Sequence, residues 1–210
     1  MLILRLLLIL LLVLAAPAVA VGAPVIAVLG DSLSAAHGMD REEGWVALLE
    51  DRLAAEGFPH EVVNASISGE TSRGGRDRVE EVLAEHRPAV LIVELGGNDG
   101  LRGQSLSTLR ENLAAIVERG REAGAKVLLL GVRLPPNYGR GYTEEFADVY
   151  AGVAEESGAA LVPRLLEGVA ERRRLMQGDA IHPTAEAQPT MLENAWPALE
   201  PLLEATRQTP

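Results

Sequence analysis

The chain has 210 residues, enough for one domain around a single core and too few for two of ordinary size. Its 48% hydrophobic content excludes a disordered polypeptide, and its net charge of -11 argues against nucleic acid as a partner. With no cysteine, disulfides, thiolate catalysis, cysteine-ligated zinc and lipidation of an N-terminal cysteine are all excluded.

Residues 1–20 read MLILRLLLILLLVLAAPAVA. Arg5 supplies a short positive region, Leu6 to Ala16 an unbroken apolar run, and Ala18-Val19-Ala20 a small-x-small cleavage pattern. This layout predicts a secretory signal and an exported, periplasmic or secreted protein, with one domain over residues 21–210. The competing reading is an uncleaved anchor, disfavoured because the run falls short of the roughly 20 residues that span a bilayer.

Within the domain, Pro24 to Leu29 is a short apolar run that predicts a buried parallel strand, ending at Gly30-Asp31-Ser32. Glu43 to Glu56 has helical apolar spacing and stops at Gly57. Glu61 to Ala65 predicts a second strand, and Thr71 to Glu85 a helix with Val79, Val82 and Leu83 on one face. Ala89 to Leu95 is a third buried strand, ending at Gly96-Gly97-Asn98-Asp99. An amphipathic helix over Leu106 to Ala123 precedes a fourth strand over Lys126 to Val132. A helix over Glu144 to Glu156, a short strand over Ala159 to Val162 and a long helix over Ala185 to Ala205 complete the chain. The alternation predicts an α/β fold: a three-layer α/β/α sandwich with a parallel sheet of about five strands. Ligands of such folds bind beyond the carboxyl ends of the strands.

The residues with reactive chemistry cluster at those ends. Serine is a poor nucleophile unless a base takes its proton and a carboxylate orients that base. His182 lies in Gly178-Asp179-Ala180-Ile181-His182-Pro183, and one turn of chain can bring Asp179 and His182 to the same side. Asp-x-x-His is common, and taken alone it reads as structural. Ser32 follows the first strand, where a serine could equally cap a helix. Gly69 follows the second strand and could permit close approach of a backbone N–H, or simply turn the chain. Asn98 follows the third and offers a side-chain amide, the type of donor that stabilises an oxyanion. His60 and His86 read as surface residues. His37 is close to Ser32 but has no carboxylate fittingly placed in its turn, which argues against it as the base. The Arg172-Arg173-Arg174 run reads as a solvated face, with contact to phosphate or anionic lipid heads as the alternative.

The order Ser, Gly, Asn, Asp-x-x-His resembles the SGNH hydrolase superfamily, also called GDSL esterases. The matching blocks are Gly30-Asp31-Ser32-Leu33-Ser34, Gly69, Gly96-Gly97-Asn98-Asp99 and Asp179-Ala180-Ile181-His182-Pro183. Trp45, Arg133-Leu134-Pro135-Pro136-Asn137-Tyr138-Gly139 and Ala187-Gln188-Pro189 extend the resemblance. They point to the bacterial periplasmic thioesterase I / lysophospholipase L1 / arylesterase subgroup. The resemblance implies a serine ester hydrolase with Ser32, Asp179 and His182 as triad, and an oxyanion hole from Ser32 N–H, Gly69 N–H and the Asn98 amide. It implies no metal or organic cofactor. Asp31 would organise the turn after the first strand. The substrates implied are small acyl esters, thioesters or lysophospholipids, with no nucleic acid, no membrane span after signal cleavage, and a monomer. By the same analogy Leu101, Pro135, Asn137 and Tyr138 would border the acyl pocket. Ala180 departs from the family's usual glycine and is tolerated unless the position needs a positive φ. Two rivals share the fold: a carbohydrate O-acetyl esterase and a non-catalytic binding module. No Gly-rich phosphate loop follows any strand, which disfavours nucleotide binding.

Overall fold

A computed structural model describes residues 22–207. The predicted signal segment lies outside the described residues. Five strands form one parallel sheet: β1 (Val25–Gly30), β2 (Glu61–Asn64), β3 (Val90–Glu94), β4 (Lys126–Leu130) and β5 (Ala160–Val162), in the order β2-β1-β3-β4-β5. Six α-helices cover it: α1 (Trp45–Glu56), α2 (Ser72–His86), α3 (Gly97–Leu101), α4 (Leu106–Glu122), α5 (Arg140–Ser157) and α6 (Gln188–Thr206). Helices α1 and α6 pack together on one face, while α2, α4 and α5 pack side by side on the other. This is the predicted α/β/α sandwich.

Local chemistry sets the element ends. Helix α1 stops where Gly57 turns left-handed at φ 72°. The Thr71 hydroxyl caps α2 by accepting the Gly74 N–H, and the Ser105 hydroxyl caps α4 by accepting the Thr108 N–H. The last helix was expected from Ala185, but a 3-10 turn occupies Ala185–Ala187 and α6 begins at Gln188. Pro189 sits in its first turn, where no backbone N–H is needed. Helix α5 begins four residues earlier than expected, at Arg140.

The core is aliphatic. Ile26 to Leu29, Val90 to Val93 and Leu128 to Leu130 are completely buried, as strands covered on both faces must be. β1 has β2 on one side and β3 on the other. The chain therefore changes direction across β1, and a crevice opens beyond the carboxyl ends of β1 and β3.

Candidate active site

Four chain segments converge on that crevice. The first leaves β1 at Gly30 and carries Ser32 in a turn tied by the Ala35 N–H to the Asp31 carbonyl (3.0 Å) and the His37 N–H to the Ser32 carbonyl (3.2 Å). The second leaves β2, and its Ile67 N–H donates to the Gly30 carbonyl at 3.0 Å. That bond lays the segment bearing Gly69 alongside the serine turn. Gly69 has φ 82°, a conformation strained for any residue with a side chain. The third leaves β3 through Gly96 at φ 113°, where a Cβ would lie 2.4 Å from the Tyr150 hydroxyl. Helix α3 follows and carries Asn98 in its first turn.

The fourth component arrives from the far end of the chain. Met176 and Pro183 form an antiparallel bridge that closes a narrow loop. Within it the Asp179 Oδ1 accepts the backbone N–H groups of Ile181 (2.9 Å) and His182 (3.0 Å). Its Oδ2 lies 2.6 Å from His182 Nδ1, and His182 Nε2 lies 3.0 Å from Ser32 Oγ. The bond to His182 and then the two backbone donors hold the Asp179 carboxyl well below the usual carboxylate range. An ionised carboxylate at Nδ1 leaves Nε2 facing the hydroxyl, the arrangement that lets imidazole take a proton from serine.

Asp31 organises the serine turn as expected. Its Oδ1 accepts the Leu33 N–H and its Oδ2 the Asn98 amide, each at 3.0 Å. The Asn98 Nδ2 also donates to the Glu70 carbonyl at 3.0 Å, beside Gly69. Tyr138 donates its hydroxyl to the Leu101 carbonyl (2.9 Å), so those two expected pocket residues meet. Pro135 is half-buried and Asn137 exposed on the same loop. Ile67 and Ile181 are the exposed large hydrophobics among the described residues, one beside Gly69 and one beside His182.

Several readings need correction or sharpening. His60 is buried rather than on the surface, with its Nε2 2.9 Å from the Thr206 hydroxyl. The end of α6 folds back over it, a contact that chain position cannot reveal; burial, then Arg207, lowers its proton affinity. Ala180 does take a positive φ, 59°. Arg173 braces the His182 loop by donating to the carbonyls of Met176 and Gln177, both at 2.9 Å, and Arg174 pairs with Glu186. His37 was weighed only as a base, and Glu94 was missed. His37 stacks on His182 with ring centroids 4.3 Å apart. Glu94 is completely buried under the serine turn, and a lone acid in the apolar run of β3 was its signal. Among the described residues no cluster of three His, Cys, Asp or Glu is placed to hold a metal.

With the site in view, the class is clear: a triad-like array at the switch point of a parallel sheet. The chain belongs to the GDSL-like Lipase/Acylhydrolase family, whose sequence profile matches residues 28–188. It is 57% identical over 176 residues to Esterase TesA of Pseudomonas aeruginosa, covering 84% of this chain and 88% of that protein. It is 41% identical over 184 residues to Thioesterase 1/protease 1/lysophospholipase L1 of Escherichia coli, covering 88% and 87%. The crystal structure of the psychrotrophic esterase EstA from Pseudoalteromonas, inhibited by monoethylphosphonate, superposes with a TM-score of 0.81 at 38% identity, covering 86% of this chain and 98% of that one.

Proposed function

We propose that the protein hydrolyses acyl esters and thioesters through an acyl-enzyme on Ser32. The observation that carries this reading is the unbroken Asp179–His182–Ser32 relay, with links of 2.6 and 3.0 Å. His182 Nε2 takes the Ser32 proton as Oγ bonds to the acyl carbon, and the carbonyl electron pair moves to oxygen. The oxyanion lies among the N–H groups of Ser32 and Gly69 and the Asn98 amide. Both Asn98 amide hydrogens are already engaged, so the oxyanion shares the one directed at the neutral Glu70 carbonyl. The carbon–heteroatom bond then breaks, and the His182 proton goes to the departing alcohol or thiol. Water repeats the cycle: His182 takes its proton, hydroxide adds to the acyl carbon, and Ser32 leaves with the proton returned.

The substrate class is small acyl esters, including aryl esters and lysophospholipids. Ile67 and Ile181 support it, since they leave apolar side chains exposed on the segments that carry Gly69 and His182. The names of the relatives support thioesters and lysophospholipids as well. Residues 1–20 support export, which removes the protein from cytosolic acyl-CoA and favours envelope lipids and simple esters. Among the described residues no helix is long and apolar enough to cross a membrane. The protein works as a monomer on these small molecules, without nucleic acid, and a mature mass beginning near Val21 would test the export step.

The central test is hydrolysis of p-nitrophenyl esters from acetate to palmitate by wild type and Ser32→Ala. The variant should lose at least about 10³ in rate. Equal activity in the two would remove Ser32 from the mechanism. Turnover of acetylated glycan but not of longer acyl esters would make the protein a carbohydrate deacetylase.

A further inference from the structure

Glu94 ends β3 with no exposed surface, and no step of the proposed reaction uses it. Its Oε2 accepts the Ser34 hydroxyl at 2.9 Å and the Asp31 backbone N–H at 3.3 Å. Its Oε1 is buried and accepts nothing. The Asp31 carboxyl, only 2% exposed, stands within side-chain hydrogen-bond reach of it. Two carboxylates in contact away from water cannot both be ionised at modest cost, so one proton must be shared between them.

The surroundings decide which carboxyl holds it. Asp31 receives two N–H donors, from Leu33 and Asn98, which stabilise a negative charge. Glu94 Oε1 receives none. Burial raises the proton affinity of both groups; Glu94 is raised well above its ordinary value, with the Asp31 charge as the second cause. The neighbouring ionisable groups do not alter this. The Tyr150 hydroxyl donates to the Leu95 carbonyl, and Asp99 is occupied by the Ser72 N–H and hydroxyl. His182 bears on Asp31 and favours its anion.

We infer that the Glu94 carboxylic acid donates its O–H to the Asp31 carboxylate, and so positions the Asn98 amide of the oxyanion hole and the Leu33 N–H behind the nucleophile. Asp31 then carries a single fixed charge with three donors on it. The Asn98 amide is aimed by a charge-assisted bond rather than by its own rotamer preference. The proton stays on Glu94 throughout turnover, which makes Glu94 a positioning residue. The inference rests on the site assignment above.

The test pairs infrared spectroscopy with kinetics on the purified protein. Glu94→Gln keeps the shape and a donor toward Asp31, while Glu94→Leu keeps neither. At about pH 8, where free carboxyl groups are ionised, wild type should show a protonated-carboxyl C=O stretch that Glu94→Gln lacks. Glu94→Gln should keep kcat within about threefold of wild type, whereas Glu94→Leu should lose at least about tenfold in kcat with KM little changed. If Glu94→Leu fails to fold, Asp31→Asn supplies the same reading, with the wild-type acid band displaced and kcat down by at least about tenfold. An acid band unchanged by Glu94→Gln, or a Gln variant as impaired as the Leu variant, overturns the inference. Infrared is independent of turnover, so a missing band beside an inactive Ser32→Ala rejects the role of Glu94 and leaves the nucleophile intact.

Discussion

The imidazole of His37 lies against that of His182, with ring centroids 4.3 Å apart and planes inclined by 38°. His37 is exposed, and its position is set from the backbone: the Gln177 side chain donates to the His37 carbonyl (2.7 Å) and to the Pro183 carbonyl (2.8 Å). One glutamine therefore clamps the serine turn to the His182 loop. The stacked ring limits how far the His182 imidazole can swing from Ser32.

Removing that ring should loosen the His182 imidazole. A ring pair is worth about 0.5–1.5 kcal/mol, so His37→Ala should lower kcat by about two- to tenfold, with little change in KM. His37→Phe keeps a flat face and should hold kcat near wild type. Steady-state kinetics on a short-chain ester checks both. A Phe variant as slow as the Ala variant would show that stacking is not what matters at this position.

Asn98 donates nothing that the alanine side chain can replace. Asn98→Ala should reduce kcat by about 10²–10³. KM should stay within about threefold, because the lost bond is strongest once charge develops on the substrate oxygen. A raised KM with intact kcat would instead assign Asn98 to ground-state binding.

Ala180 carries a φ of 59° between Asp179 and the His182 segment. The left-handed conformation costs a residue with a Cβ about 1–2 kcal/mol, a cost that glycine avoids. Part of that gain is offset by the freedom glycine adds to the unfolded chain. Ala180→Gly should therefore stabilise the protein by about 0.5–1 kcal/mol, or ~1–4 °C in Tm for a domain of this size. Scanning calorimetry of the two proteins decides it, and a lowered Tm would show that the loop bears no such strain.

Burial raises the proton affinity of Glu94 well above the ordinary carboxylate range. In the unfolded chain the same group ionises above about pH 4.3. Folding at higher pH thus takes up a proton, so the stability associated with this group is full below that pH and declines as pH rises toward the folded value. Glu94→Gln has no such proton to take up. Thermal unfolding of variant and wild type should lie closest near about pH 4 and separate toward about pH 8, with the variant more stable there. Curves that run parallel over this window would count against a buried, protonated Glu94.

The alternation of apolar runs and helical spacings, with turn residues between them, was enough to place all five strands and the order of the main helices. Each of those signals is local: side chains alternate or recur because one face of the element is buried. The residues of the proposed site were legible for a related reason. Ser32, Gly69, Asn98 and His182 follow strands or precede the last helix, and parallel topology brings such ends to one edge. Element ends were less legible. Helix α5 starts at Arg140, directly after Gly139 and a 3-10 turn over Pro136–Tyr138, a continuation that the apolar spacing from Glu144 does not reveal.

Sequence alone determined the fold class, the residue types of the relay and the family resemblance, because periodicity and motif order are written residue by residue. Only the tertiary structure decided what those residues touch. It showed that Asp31 meets both Asn98 and Glu94, that His37 stacks on His182, that His60 is covered by α6, and that Ala180 turns left-handed. The reason is physical. Burial, hydrogen-bond partners and shared protons arise between segments brought together by folding, and the Asp31–Glu94 and Asn98–Asp31 pairs are more than 60 residues apart in the chain.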